Sequence, residues 1–206
     1  VLSEEGDEIS FEERKNWNTF WVVDPLDGTK EFIKKNGEFT VNIALVKDNT
    51  PILGVIYVPV DKTLYFSSLE KGSYKAENIT EYTSFTEIEK ASLLLPLKYD
   101  NRNYTIVASR SHLNEETKKI IAEKEKQLGN VKILSVGSSL KLCMIAENRA
   151  DIYPRFGPTM EWDIAAGHAI VKYAGGSIID HTTNLELLYN KENLRNPYFT
   201  AKNNLL

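Results

Sequence analysis

An apolar run, Phe20-Trp21-Val22-Val23, stops against Asp24-Pro25-Leu26-Asp27-Gly28-Thr29, and this junction constrains the chain more than any other stretch. The run is short, aromatic, β-branched and closed by a proline, the pattern of a buried strand. Pro25 fixes its own φ and holds Asp24 extended, so the chain is expected to turn sharply there and bring Asp27 back to the side of Asp24. Gly28 lets a ligand approach the backbone, and Thr29 sets a hydroxyl at the start of an expected helix, where free N–H groups favour an anion. Two convergent carboxylates beside such a turn suit a hard divalent cation that bridges to phosphate. The residues alone leave a plain turn equally open, since Asp, Pro and Gly all favour turns for local reasons.

Further strands are expected near residues 39–46, 52–58 and 64–67, joined as consecutive hairpins by short polar links. Residues 104–108 and 131–136 read as strands flanking a helix over 114–127, which opens on Asn114 and an acidic first turn and then becomes Lys-rich. Helices over 138–148 and 161–174 follow, the second ending at Gly175-Gly176, with a short strand at 177–179. Residues 72–90 are polar and read as a loop or edge region. Asp163 falls in the first turn of its helix, where a carboxylate is favourable by roughly 0.3–1 kcal/mol even without a metal.

With 206 residues, 42% of them hydrophobic, the chain is long enough for a proper core. Its single cysteine, Cys143, excludes an internal disulfide. The apolar neighbours Leu142, Met144 and Ile145 mark it as a core thiol suited to a reducing compartment. A net charge of −4, with no basic stripe beyond Lys30, Lys34 and Lys35, argues against nucleic-acid binding. Bound metal would supply the positive charge that a phosphate needs. No run approaches the ~18 apolar residues of a membrane span and no leader pattern opens the chain. The cytoplasm is therefore the expected compartment, with attachment at the inner face of the cell membrane left open. The oligomeric state is not legible.

The string from Asp24 to Thr29 resembles the signature of the inositol monophosphatase superfamily of Mg²⁺-dependent phosphatases. Glu161-Trp162-Asp163-Ile164-Ala165-Ala166-Gly167 resembles its second, C-terminal string, and Ser3-Glu4-Glu5 its upstream acidic pair, all in family order. The resemblance implies an α+β and α/β layered sandwich, the sugar phosphatase fold. Residues 1–95 would hold an antiparallel sheet and the metal motif, and residues 96–206 an α/β part with the substrate loops, as one functional unit. It further implies two or three Mg²⁺ ions held by Glu4, Asp24, the Leu26 carbonyl, Asp27 and Asp163. Glu4, Asp27 and Thr29 take catalytic roles, with Thr29 helping Glu4 orient the attacking water. Family members carry an N-terminal helical region with a further aspartate ahead of these motifs. The chain starts at Val1, so it reads as a fragment lacking those helices, and turnover by the fragment alone is not expected.

Lys30-Glu31-Phe32, the segment from Asn36 to Leu45, Ser109-Arg110-Ser111-His112, the segment from Gly137 to Lys141 and that from Tyr153 to Thr159 resemble the 3′(2′),5′-bisphosphate nucleotidase branch. That branch implies removal of the 3′-phosphate of adenosine 3′,5′-bisphosphate, giving AMP and phosphate and recycling a by-product of sulfate assimilation. The implied partner is thus a small nucleotide bisphosphate, touched by Glu4, Leu26, Asp27, Gly28, Thr29, Ser111, His112, Gly137, Lys141 and Asp163. Lys141 would meet the second phosphate as a point charge, and His112 would stack on or hydrogen-bond to the base or ribose. Taken singly, such a lysine is usually solvated and such a histidine a surface or capping residue. Two other readings stay open, an inositol or sugar monophosphatase with the same metals and a non-catalytic nucleotide- or phosphate-binding fragment.

Overall fold

A computed structural model describes residues 1–79, 84–100, 102–108 and 114–204. In chain order the elements are β1 (Leu2–Ser3), α1 (Phe11–Arg14), β2 (Thr19–Asp27), α2 (Thr29–Lys34), β3 (Thr40–Lys47), β4 (Thr50–Val58), β5 (Thr63–Ser68), β6 (Gly72–Ala76), α3 (Phe85–Ala91), β7 (Leu93–Leu95), β8 (Tyr104–Ala108), α4 (Glu115–Leu128), β9 (Val131–Ser135), α5 (Leu140–Ala146), β10 (Ile152–Arg155), α6 (Glu161–Tyr173), β11 (Ser177–Asp180) and β12 (Phe199–Lys202). Strands β1 to β7 form one sheet in sequence order, antiparallel except for the β1–β2 pair. The second sheet has the order β11-β12-β10-β8-β9 and mixes parallel and antiparallel pairs. The result is the layered α/β sandwich expected from the sequence.

Burial alternates with a period of two along β2 and β3, which is why these segments extend. Phe20, Val22 and Asp24 on β2, with Thr40, Asn42, Ala44 and Val46 on β3, point to the buried face. Helix α6 packs on that face against strands β2 to β6, and one hydrophobic cluster joins it to α5 and the second sheet. The approach is close. A Cβ on Gly54 of β4 would stand 2.3 Å from the Ala166 carbonyl oxygen, and one on Gly167 would stand 2.3 Å from Leu142 Cδ1. On the opposite face, α3 sets Phe85 edge-on against Phe66, while Trp21 is 42% exposed. Cys143 is buried in the core as expected.

Three local expectations are corrected. Strand β2 does not end before Pro25 but runs through it to Asp27, because a bulge absorbs the proline. Residues 72–90, read as a loop or edge region, contain strand β6 and the start of α3, whose Ser84 side chain accepts the Glu87 N–H. The helix expected over 138–148 is the shorter α5. Among the described residues no helix is long and apolar enough to cross a membrane.

Candidate metal and phosphate site

The carboxylates are gathered by strand register. Strand β1 runs parallel to β2 with Ser3 opposite Val23, and the Glu4 N–H donates to the Val23 carbonyl at 3.3 Å, so Glu4 emerges beside Asp24. On the other side of β2, Asp24 pairs with Asn42 and Asp27 with Thr40. Thr40 and Asn42 are two apart and share a face of β3, so the bulge places Asp24 and Asp27 on one face although their odd separation would otherwise oppose them. Asp163 arrives from the first turn of α6, where its Oδ2 accepts the Met160 N–H at 2.8 Å. One carboxylate oxygen from each of Glu4, Asp24 and Asp163 then lies within 4.8 Å of the others.

This cluster is costly as bare protein. Asp24 is fully buried, its Oδ1 accepts the Leu26 N–H at 3.0 Å and its Oδ2 has no partner. Burial, then the charges of Asp27 and Glu4, push its pKa up to about 8. Burial and the Asp27 charge likewise raise Asp163 to about 7. A buried carboxylate oxygen without a donor, inside a group of acids, fits a hard cation as its ligand, and oxygen-only donors suit Mg²⁺.

Asp27 is held differently. Its Oδ2 accepts Ser138 Oγ at 2.5 Å, the Ser139 N–H at 2.7 Å and Ser139 Oγ at 2.9 Å. Gly28 caps α2 in the left-handed region at φ 91°, where an added Cβ would stand 3.2 Å from the Glu38 carbonyl oxygen. Thr29 opens α2 and is exposed.

A cavity of about 170 Å³ opens from this point, lined among others by Asp27, Gly28, Lys30, Lys141, Arg155 and Asp163. Asp163 therefore belongs both to the carboxylate cluster and to a pocket bearing three cationic side chains. Lys141 is not the solvated helix residue that its position suggests. It is buried, and its Nζ donates to the carbonyls of Ser138 at 2.7 Å and Val136 at 3.2 Å. Burial lowers its pKa to about 8. Ser111 and His112 lie outside the described residues.

Sequence reasoning gave no role to Arg155, although it quoted the string that contains it; its Nη2 donates to the Pro158 carbonyl at 2.9 Å, while its Nε is buried without a partner. Ser138, Ser139 and Glu161 were likewise quoted without a role. Glu161, fully buried, accepts the N–H groups of Asn190 and Lys191 and the Lys191 ammonium, which anchors the start of α6.

A model of the inositol monophosphatase family matches residues 1–204 of the chain. The chain belongs to that family. The family is metal-dependent, typically on Mg²⁺, in keeping with the buried, unpartnered oxygen on Asp24. Among curated members, the chain is 46% identical over 180 residues to the 3′(2′),5′-bisphosphate nucleotidase CysQ of Salmonella typhimurium and 47% identical over 180 residues to that of Escherichia coli K12. Each alignment covers 87% of this chain and 66% of the relative, so the chain spans just under two thirds of their length. The crystal structure of CysQ from Bacteroides thetaiotaomicron, 50% identical, superposes with a TM-score of 0.92 over 98% of this chain and 76% of that one. Mycobacterium tuberculosis SuhB, 20% identical, shares the fold at a TM-score of 0.68 over 98% of this chain and 70% of that one.

Proposed function

We propose that this family member is a Mg²⁺-dependent 3′(2′),5′-bisphosphate nucleotidase that releases the 3′-phosphate of adenosine 3′,5′-bisphosphate. The observation that carries the reading is the position of Asp163, shared by a cluster of acids with a buried unpartnered oxygen and by a cavity lined with Lys30, Lys141 and Arg155. Identity of 46–47% to proteins named for this activity supports the nucleotide over other phosphate esters.

Glu4, Asp24, Asp27, Asp163 and the Leu26 carbonyl would hold two or three ions. When bound, Mg²⁺ supplies positive charge to the phosphoryl oxygens and acidifies a water for attack. Glu4, the exposed member of the cluster, and Thr29, also exposed, are assigned to that water. The backbone at Gly28 and Thr29, at a helix start, is assigned to the phosphate being cleaved. The second phosphate falls to the cations of the cavity. Arg155 leads there, because the Lys141 ammonium is already engaged by two carbonyls.

The test is phosphate release, by the full-length protein that contains this chain, from adenosine 3′,5′-bisphosphate, adenosine 3′-monophosphate and inositol 1-phosphate. The bisphosphate should be preferred, with release lost on chelation and restored by Mg²⁺. Faster release from the inositol ester would favour the monophosphatase reading, and nucleotide binding without release the non-catalytic one. Arg155→Ala should raise KM for the bisphosphate by about 30-fold, equivalent to ~2 kcal/mol for a hydrogen bond to a charged group. The monophosphate, lacking the group that Arg155 meets, should show little change. An equal loss on both substrates would place Arg155 elsewhere.

A further inference from the structure

The segment Glu38-Phe39-Thr40-Val41-Asn42 places a polar side chain at every second position leading into and along β3, two of them fully buried. A buried strand face is normally apolar, so the pattern asks for partners. The three side chains meet three consecutive residues of one loop. Glu38 Oε2 accepts the Gly137 N–H at 2.7 Å, Thr40 Oγ1 lies 2.5 Å from Ser138 Oγ, and Asn42 Nδ2 donates to Ser139 Oγ at 2.9 Å. Residue for residue, β3 reads the loop.

Proton bookkeeping gives the contacts a direction. A serine hydroxyl has one proton, and an ionised carboxylate only accepts. If Ser138 gives its proton to Asp27 Oδ2, Thr40 must donate to Ser138, while Asn42 donates to Ser139 in any case. The donors therefore run from β3, both directly and through Ser138, to one oxygen of Asp27. Ser139 Oγ lies 2.9 Å from that oxygen and 2.9 Å from the Asp163 carbonyl, and gives its single proton to one of them. Ser138 is held at φ 50°, a left-handed conformation that needs such support. Gly137 is equally confined, since an added Cβ would stand 2.7 Å from Glu31 Cγ and 2.9 Å from the Glu38 carbonyl oxygen.

We propose that Glu38, Thr40 and Asn42 are positioning residues that lock the loop of residues 137–139 and thereby aim the Asp27 carboxylate. This rests on the metal-site reading only through Asp27. The ladder commits Oδ2 to the protein and leaves the other oxygen for a cation.

The test uses Mn²⁺ as a spin-active probe of the metal site, titrated by electron paramagnetic resonance, together with amide exchange of Gly137 and Ser139. Glu38→Ala should weaken Mn²⁺ binding by roughly tenfold or more and speed Gly137 exchange by a similar factor. Glu38→Gln keeps an oxygen acceptor and should stay within about threefold of the parent in both. Thr40→Val, which retains the β-branched shape, should weaken Mn²⁺ binding in the same direction. Parent-like Mn²⁺ affinity and Gly137 exchange in Glu38→Ala would overturn the proposal, as would Glu38→Gln behaving like Glu38→Ala. If the full-length protein binds Mn²⁺ but fails to hydrolyse the nucleotide, the functional reading fails while these readouts stand. If it binds no Mn²⁺, the aiming of Asp27 at a cation is overturned.

Discussion

Asp24→Asn is expected to reduce Mg²⁺-dependent phosphate release by a thousandfold or more, about 4 kcal/mol, and at the same time to stabilise the metal-free chain at neutral pH. The two effects share one cause, a buried carboxylate with an unpartnered oxygen beside other acids. The unfolded Asp24 titrates near 3.8, and the folded one is raised to about 8. Between those values the folded chain retains a proton that the unfolded chain releases. The group's stabilisation is then fully present below pH 3.8 and is lost as pH rises through about 8. Asp163, raised to about 7, acts in the same direction. Metal-free protein should therefore lose stability from about pH 4 to 8, on the order of a few kcal/mol, with Asp24→Asn flattening the slope. Mg²⁺ should oppose the loss, since it binds the ionised acids of the folded form. Thermal melts at pH 5 and pH 8, with chelator and with Mg²⁺, check both halves. Undiminished turnover in the variant, or equal metal-free stability at the two pH values, would refute this account of the cluster.

Gly54→Ala should destabilise the fold by about 3 kcal/mol, at the upper end of ordinary overpacking. The new methyl would stand 2.3 Å from the Ala166 carbonyl oxygen and 2.9 Å from Ala169 Cβ, so β4 and α6 must part. Backbone cannot swing aside as a flexible side-chain tip can. Because α6 carries Asp163, Mg²⁺ affinity should fall along with stability. Gly175→Ala provides the contrast. Its φ is 89° and nothing lies within 4 Å of the added Cβ, so only the backbone penalty of about 1 kcal/mol applies. Urea midpoints for the two variants decide the matter, and a Gly54→Ala shift no larger than that of Gly175→Ala would contradict the close helix–sheet contact.

Much of the first sheet was legible because its strands are long, alternate with a period of two and are joined by short polar turns. The start of α4 was legible because Asn114 Oδ1 accepts the Thr117 N–H, a contact contained within four residues. Strands β10 and β12 were not, since Ile152-Tyr153-Pro154-Arg155 and Phe199-Thr200-Ala201-Lys202 carry weak local patterns and exist through pairing with each other. Lys141 was misjudged for the same reason. Its partners are carbonyls of the loop preceding its own helix, and the burial that hides it comes from packing, which no spacing announces.

The stretch from Asp24 to Thr29 by itself determined the family to which this chain belongs, because its string matches that family's signature, while its residue types alone leave a plain turn equally open. The string around Asp163 and the acidic pair at Glu4 supplied the remaining candidate donors, through the family resemblance. Whether Asp24 and Asp27 share a face was decided only by the bulge between them, which is a property of pairing with β3. Tertiary structure likewise decided that Glu4, Asp24 and Asp163 meet within 4.8 Å and that β3 supports the loop behind Asp27. Register between strands, and the seating of α6 on Gly54, arise from contacts between distant residues, and a local sequence pattern carries no record of them.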